Sequence, residues 1–286
     1  KKILQMQDYV LEYLNKQTYI KKFIPKKIHS TINTYVDELG RPSYVRILSY
    51  IHGNIFAKSK HSKELETSLG TLIGHLSKNL QSIAHESAFR KFEWDPSSID
   101  WIINHIKKFK YNQKRIISNT YRDYNNFVKK NKKNLRFSLT HGDINNYNLV
   151  INENKIVGLL DYGDMIFAPT INDLAISLSY ALMKKENLYL SLKNIVLSYH
   201  KIFPISFDEI FSLMTLVKCR LTITVIMASK QRKKFPKNKY LSISEKEAWS
   251  LLDKLDKINP YLFIFFLRDL CGYEIIKHHS TIINFL

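Results

Sequence analysis

The sequence predicts an α+β fold with a mainly helical second part, and three observations carry that prediction. Short β-rich runs occur early and again near residue 150, apolar residues repeat at helical spacing over most of the remainder, and no internal repeat or low-complexity linker interrupts the chain. At 286 residues the chain can bury a sizeable core, as one large domain or as two lobes.

The first segment, ILQMQDYVLEYLNK, places Ile3, Met6, Val10, Leu11 and Leu14 on one helical face. STINTYVDELGRPSYVRILSYI reads as a hairpin, with runs at 31–37 and 43–51 around a turn carrying Gly40 and Pro42. Leu65, Leu69, Leu72, Ile73, Leu76, Leu80 and Ile83 mark a helix that Ser62 can cap, and Glu64 and Glu66 suit its first turn. A helix is expected after Pro96 in WDPSSIDWIINHIKKF, and a polar helix over 112–130. After Pro169 the pattern is helical over 171–184, 186–202, 207–232, 244–258 and 261–273, with Asp173, Ser206 and Ser244 near three of the starts.

Composition narrows the function classes. Hydrophobic content of 45% with 24% charged residues is ordinary for a globular protein. No window reads as the run of about 18 apolar residues that crosses a bilayer, the longest candidate being YLFIFFL at 261–267. No leader pattern is visible, so a cytoplasmic protein without a membrane partner is expected. Cys219 and Cys271 lie far apart inside apolar helical patterns and are expected to be reduced core residues. The net charge of +19 invites a nucleic-acid reading. Against it, the lysines are scattered apart from short clusters at 127–133 and 230–239, and no zinc finger, RNP-type strand or helix-turn-helix accompanies them.

The densest chemistry lies in LTHGDINNYNLVINENKIVGLLDYGDMI, residues 139–166. A hairpin turning within Asn152–Lys155 would pair Leu149 with Leu160 and set Asn148 opposite Asp161, with Cβ atoms about 4.5–5.5 Å apart. Two oxygen-bearing side chains at that separation can share one Mg²⁺. Asp143, in the loop before the hairpin, can accept the proton of an attacking hydroxyl while the metal holds nucleotide phosphates. The spacing D-x-x-x-x-N followed by a later Asp is that of kinase catalytic loops. His141 is expected to fix the loop backbone through its ring, and Asp164 either assists the metal or caps the next segment. Taken singly each residue has a plain alternative, since an Asp in a Gly-containing turn is usually turn chemistry. Their conjunction on one hairpin favours a magnesium-nucleotide site.

HGDINNYN and LLDYGD match H-G-D-x-x-x-x-N, a hydrophobic strand and D-x-x-D without a gap, and in this the chain resembles the aminoglycoside phosphotransferase family. GLLDYGDMIFAPTINDLAISLSYALM, SYVRILSYIHG, FEWD and FPKNKYLSISEKEAW are most similar to its hydroxylysine kinase branch. The resemblance implies a protein-kinase-like two-lobe fold. Residues 1–51 would be the remainder of a small β-containing N-lobe with a hinge at 48–51, and residues 52–286 a helical C-lobe with the catalytic hairpin at 139–166. It further implies Asp143 as catalytic base, Asn148 and Asp161 as Mg²⁺ ligands, and a hinge backbone at Ser49, Tyr50 and Ile51 that meets the base of ATP or GTP. The implied acceptor is a hydroxylysine-like amino alcohol or amino acid, with choline, homoserine and aminoglycosides as alternatives. A catalytically silent kinase-like binding module is the other reading. Trp94 and Asp95 could contact an acceptor ammonium, or serve as core residue and helix cap. FLRDLCGYE resembles the end of bacterial hydroxylysine-kinase-like domains, some of which are fused to further domains.

The chain departs from the family pattern in its first part. It has 8 glycines, none before Gly40, and no early strand with a lysine to clamp the α- and β-phosphates. Gln7 stands nearest the place of that lysine's acidic partner, with Asp8 and Glu12 close by. The expectation is an N-lobe whose first strands lie upstream of residue 1, an under-covered first helix and 31–51 hairpin, and weak Mg-nucleotide binding by residues 1–286 for want of a phosphate-clamping cation.

Overall fold

The computed structural model describes residues 1–29, 32–235 and 244–273. Of the stretches quoted above, Ser30, Thr31, residues 236–243 and Glu274 lie outside the described residues.

Helix α1 (Lys2–Asn15) buries Met6, Val10, Leu11 and Leu14 completely, while Ile3 is 40% exposed. Its apolar face is therefore covered, against expectation. The hairpin is open, as expected. Strands β1 (Asn33–Val36) and β2 (Pro42–Val45) pair antiparallel, Asn33 with Val45, and every residue of both is exposed. β2 is shorter than the sequence suggested because the chain leaves β1 at Arg46 and turns to residues 26–28. There Ile28 N–H donates to Ile47 O at 3.0 Å and Ser49 N–H to Lys26 O at 2.7 Å.

β3 (Asn54–Ile55) leads to α2 (Lys63–Leu80), which Ser62 caps by accepting the Leu65 N–H. The helix expected after Pro96 shrinks to a turn at Asp100–Ile102 and α3 (Ile103–Ile106). Asp95 Oδ1 accepts the Ser97 N–H at 2.8 Å, and this local turn competes with helix at its start. α4 (Tyr111–Asp123) runs on as a π-helical turn to Lys129.

β4 (Phe137–Thr140) and β7 (Ile166–Pro169) pair antiparallel. Between them in sequence, β5 (Leu149–Asn152) and β6 (Lys155–Leu159) join β3 in the order β3-β5-β6. The five helices expected after Pro169 are all present: α5 (Asn172–Ala181), α6 (Leu188–Ile202), α7 (Phe207–Lys234), α8 (Glu245–Asp256) and α9 (Pro260–Leu270). Ser206 and Glu209 form a capping box at the start of α7. By length and composition α7 is apolar enough to span a bilayer, with mean hydropathy 1.7 over 18 residues, which corrects the expectation that no window is. That window is 94% buried inside the fold, as in a core helix.

α2 and α6 lie close together because α2 carries glycines one turn apart. A Cβ at Gly70 would fall 2.1 Å from Ile195 O, and one at Gly74 2.9 Å from Ile202 Cβ. The same interface buries Glu66, which accepts from Lys185 Nζ at 2.7 Å, Ser191 Oγ at 2.6 Å and Asn194 Nδ2 at 2.8 Å. Three residues of the basic clusters are paired within the chain: Lys129 with Asp100 at 2.8 Å, Lys230 with Glu93 at 3.2 Å and Arg232 with Glu245 at 2.6 Å. Both cysteines are free, Cys219 buried and Cys271 partly so.

Glu66 supplies a test of this core. Burial pushes its carboxyl up, but the bonds from Lys185, Ser191 and Asn194 outweigh burial and leave it below the ordinary value of 4.5. Its folded value is depressed, so its contribution is present above pH 4.5 and is lost as pH falls through the folded value. Glu66→Ala strands the half-buried Lys185 and should cost about 3–5 kcal/mol in urea unfolding at pH 7, the range for breaking a buried pair. A loss below about 1 kcal/mol at pH 7 would show that the network does not support the α2–α6 interface.

Candidate active site

Strand β4 ends at Thr140 and delivers His141, Gly142 and Asp143 to a point where no neighbouring strand can take their N–H groups. A side chain from α5 does so instead. Asp173, 1% exposed, accepts the His141 N–H through Oδ2 and the Gly142 N–H through Oδ1, both at 2.9 Å. Burial pushes its carboxyl up, opposed by His141 and the two N–H groups. The sequence placed Asp173 near a helix start, and its carboxylate turns out to hold the loop instead of the helix. Gly142 has φ +78°, and a Cβ there would meet Asp164 O at 2.4 Å, so glycine is required on both counts.

The fully buried His141 ring ties the loop to the next strand. Nε2 lies 3.1 Å from Leu160 O, and Nδ1 accepts the Asp143 N–H at 3.3 Å. The two bonds together assign the proton to Nε2.

Asp143 is held by three donors. Oδ1 accepts from Arg220 Nη2 at 2.6 Å, and Oδ2 accepts from Asn145 Nδ2 at 2.8 Å and Asn148 Nδ2 at 2.9 Å. Arg220, 2% exposed on α7, also donates to Trp94 O at 3.1 Å and lies 4.7 Å from the Trp94 ring centroid. Sequence reasoning missed this arginine. The available signal was charge set in the otherwise apolar run MTLVKCRLTITVIM of α7, which a buried helix tolerates only with a partner. Lys218 gives the same signal and pairs with Asp123 at 2.6 Å.

The hairpin carrying the other two ligand candidates has a different register from the one expected. Asn152 pairs with Lys155 and Leu149 with Leu159, not Leu160, across an irregularity between Val150 and Ile151. The two-residue turn, with Glu153 at φ 51°, sets one register, and an extra residue on β6 shifts it by one. Asn148 therefore faces Leu160, whose N–H donates to Asn148 O at 2.8 Å. Asp161 lies one residue beyond, in a left-handed conformation at φ 59°, with Oδ1 accepting the Gly163 N–H at 3.1 Å.

Asn148 donates through its amide nitrogen to Asp143, and among the described residues no hydrogen bond engages its amide oxygen. Asp164 is pushed up by burial and then by the neighbouring Asp143, with Arg220 opposing and Asp161 adding. Among the described residues no three His, Cys, Asp or Glu side chains could hold a metal by themselves. The donor set still fits Mg²⁺, a hard cation that keeps water and takes one or two protein oxygens plus substrate phosphates. Here those oxygens would be the Asn148 amide and the Asp161 carboxylate.

At the segment 48–51, Ser49 donates its N–H to Lys26 O and accepts the Lys26 N–H through Oγ, so of its backbone groups the carbonyl is left for a ligand. Tyr50 is 77% exposed, and the Ile51 side chain lies over Gly158 of β6. The pair Trp94 and Asp95 is split by the structure. Trp94 stacks under Arg220 beside Asp143, whereas Asp95 Oδ1 is taken by the Ser97 N–H, the Ser97 hydroxyl and Asn172 Nδ2. A cavity of about 390 Å³ adjoins the loop after Asp143 and is lined by His61, Asn146, Tyr147, Tyr180, Lys184 and Glu247. Tyr180 connects it to Asp143 through Arg220, its hydroxyl lying 3.4 Å from Arg220 Nη2.

This arrangement of elements is a protein-kinase-like fold. An amicoumacin kinase solved with AMP-PNP and Ca²⁺ superposes with a TM-score of 0.64 at 13% identity, covering 91% of this chain and 81% of that one. A microcompartment-associated aminopropanol kinase gives 0.63 at 15% identity, covering 94% and 82%. At such identities the likeness is one of fold. The sequence carries the family: residues 9–190 match the phosphotransferase enzyme family, and the chain belongs to it. It is 25% identical to hydroxylysine kinase of Mus musculus over 272 residues, which cover 88% of this chain and 72% of that protein. It is also 25% identical to hydroxylysine kinase of Xenopus laevis over 228 residues, 74% of this chain and 61% of the relative. The chain thus spans about three fifths of the length of the frog protein.

Asp173→Ala tests what holds the loop. It leaves two buried N–H groups without an acceptor and should cost on the order of 2–6 kcal/mol in denaturant unfolding, one to three per orphaned donor. A stability unchanged within about 0.5 kcal/mol would mean the loop is held by other means.

Proposed function

We propose that this protein is a small-molecule kinase that moves the γ-phosphoryl group of a nucleoside triphosphate to the hydroxyl of an amino-bearing acceptor, with hydroxylysine the first candidate. The observation that carries this reading is Asp143, a carboxylate fixed by three donors next to a 390 Å³ cavity. In the proposed reaction Asp143 receives the proton of the acceptor hydroxyl as its oxygen bonds to the γ-phosphorus. The bond from that phosphorus to the bridging oxygen breaks, and a nucleoside diphosphate leaves. Catalysis of this kind rests on positioning and charge neutralisation. Magnesium, held by Asn148 and Asp161, would supply part of that neutralisation.

The remaining assignments follow the same reading. Residues 1–51 would form the smaller lobe and 52–286 the larger, with the backbone at Ser49, Tyr50 and Ile51 meeting the nucleotide base. The cavity beside Tyr180 would take the acceptor. Among the described residues the buried Oε2 of Glu247 in its lining has no hydrogen-bond partner, which suits an ammonium group, and the exposed Lys184, which pairs with Glu247 Oε1 at 3.4 Å, suits a carboxylate. A hydroxylated amino acid has both. The hydroxylysine kinases to which the chain is similar support the same choice.

Nucleoside diphosphate release from ATP and from GTP, measured against hydroxylysine, choline, homoserine, aminopropanol and an aminoglycoside, tests the reading. Turnover is expected with at least one amino-bearing alcohol. Asp143→Asn, which keeps a partner for Arg220, should lower kcat by roughly 10²–10⁴ with nucleotide affinity little changed. Near-normal turnover by that variant would sink the base assignment, and nucleotide binding with no transfer to any acceptor would point to a silent binding module. For the acceptor pocket, Glu247→Gln should raise KM for an ammonium-bearing acceptor by roughly tenfold with kcat nearly constant, the signature of lost ground-state binding. An unchanged KM would remove Glu247 from the pocket.

A further inference from the structure

The three donors that hold Asp143 differ in where they come from. Asn145 and Asn148, which donate to Oδ2 at 2.8 and 2.9 Å, belong to the same loop as the carboxylate and move with it. Arg220, which donates to Oδ1 at 2.6 Å, comes from the buried helix α7. The last torsion of an aspartate is broad and two-fold, so nothing in Asp143 itself selects the angle at which its oxygens face an acceptor. Donors within the loop tie the carboxylate to the loop alone. A donor on α7 ties it to the body of the fold.

The guanidinium is itself closely held. Its side chain is 2% exposed, Nη1 donates to Trp94 O at 3.1 Å, and Nη2 also lies 3.4 Å from the Tyr180 hydroxyl. The Trp94 and Tyr180 ring centroids lie 4.7 and 5.7 Å from its central carbon. Tyr180 lines the cavity beside the loop, so the guanidinium stands between the cavity wall and the carboxylate. An acceptor ammonium approaching this face of Trp94 would meet a cation, which makes the tryptophan an anchor for Arg220 instead of an ammonium contact. Stability alone gives no reason for the arrangement. Among the described residues the buried Arg220 Nε–H has no acceptor, and a hydrocarbon of similar volume would often pack a buried helix as well or better. A hydrocarbon could not orient a carboxylate.

We infer that Arg220 is the positioning residue for the transfer step, acting through Asp143 by holding it at the angle from which it meets the acceptor hydroxyl. The inference rests on the kinase reading given above. Its signature is a fall in kcat with KM for both substrates held, because the contact is made with the base and with no ligand. The plain alternative is a buried ion pair that only joins α7 to the loop. Lys218, two residues earlier on the same helix, pairs with Asp123 of α4 at 2.6 Å and serves as the comparison.

Steady-state turnover of the intact protein, with an acceptor that it phosphorylates, separates the two. Arg220→Met should lower kcat roughly 10–100-fold and leave KM for acceptor and nucleotide within about threefold. Arg220→Lys, which keeps the charge and loses the planar fork, should recover part of that loss. In the Asp143→Asn background, where the base is already gone, Arg220→Met should change kcat by less than about twofold. Lys218→Met should leave the kcat of folded protein within about twofold. A loss of the same size in both backgrounds, an unchanged kcat, or an equal loss from Lys218→Met would overturn the inference. Should Arg220→Met fail to fold, Arg220→Lys decides alone: a lower kcat whose deficit vanishes in the Asp143→Asn background supports positioning, and a normal kcat overturns it. If the unaltered protein transfers a phosphoryl group to no acceptor, the kinase reading falls and this inference with it. An active protein that is slowed by Asp143→Asn and not by Arg220→Met overturns the positioning role alone.

Discussion

Asp173, buried on α5, accepts the N–H groups of His141 and Gly142 and thereby decides where the next residue, Asp143, can point. A carboxylate in that position is costly unless its oxygens are bonded, and the loop is in turn unsatisfied without it. Neither half is stable alone. The glycine at 142 lets the loop following Asp161 approach to van der Waals distance, and the His141 ring ties the same loop to Leu160. Three segments that are separate in sequence are thus brought to one place by a few short hydrogen bonds. Arg220 reaches that place from α7 and closes the arrangement around Asp143.

The strongly basic chain uses its charges economically inside. Glu66, Asp123, Glu209 and Asp143 are each met by a cation from a distant segment: Lys185, Lys218, Arg136 and Arg220. Buried pairs of this kind add little net stability over apolar residues of the same volume, because desolvation offsets their attraction. Their contribution here is to alignment. Each pair is satisfied in one relative placement of its two elements, so α2 against the segment before α6, and α7 against α4, are fixed in register as well as in contact.

Much of this was legible in the sequence, for reasons that particular residues make clear. α2 and the five helices after Pro169 announce themselves because their apolar residues recur at helical spacing and Ser62 and Ser206 cap their starts. His141, Asp143, Asn148 and Asp161 were readable because they sit within a short contiguous stretch whose spacing carries meaning. Arg220 and Asp173 were not, since each acts on a residue more than thirty positions away and nothing local marks the meeting. The turn held by Asp95 was hidden by helical periodicity around it. The hairpin register was misjudged because a symmetric count cannot see an extra residue on one arm.

That extra residue makes the segment between Asn148 and Asp161 a ruler. Side chains alternate faces along a strand, so removing or adding one residue on either arm would turn every subsequent side chain to the opposite face. The irregularity between Val150 and Ile151 is what lets a tight turn and the observed placement of Asp161 coexist. Apolar identities along the two arms can be exchanged for others of similar size at modest cost. The number of residues cannot. Variation here should be permissive in composition and intolerant of insertion or deletion, the reverse of what exposed loops usually show.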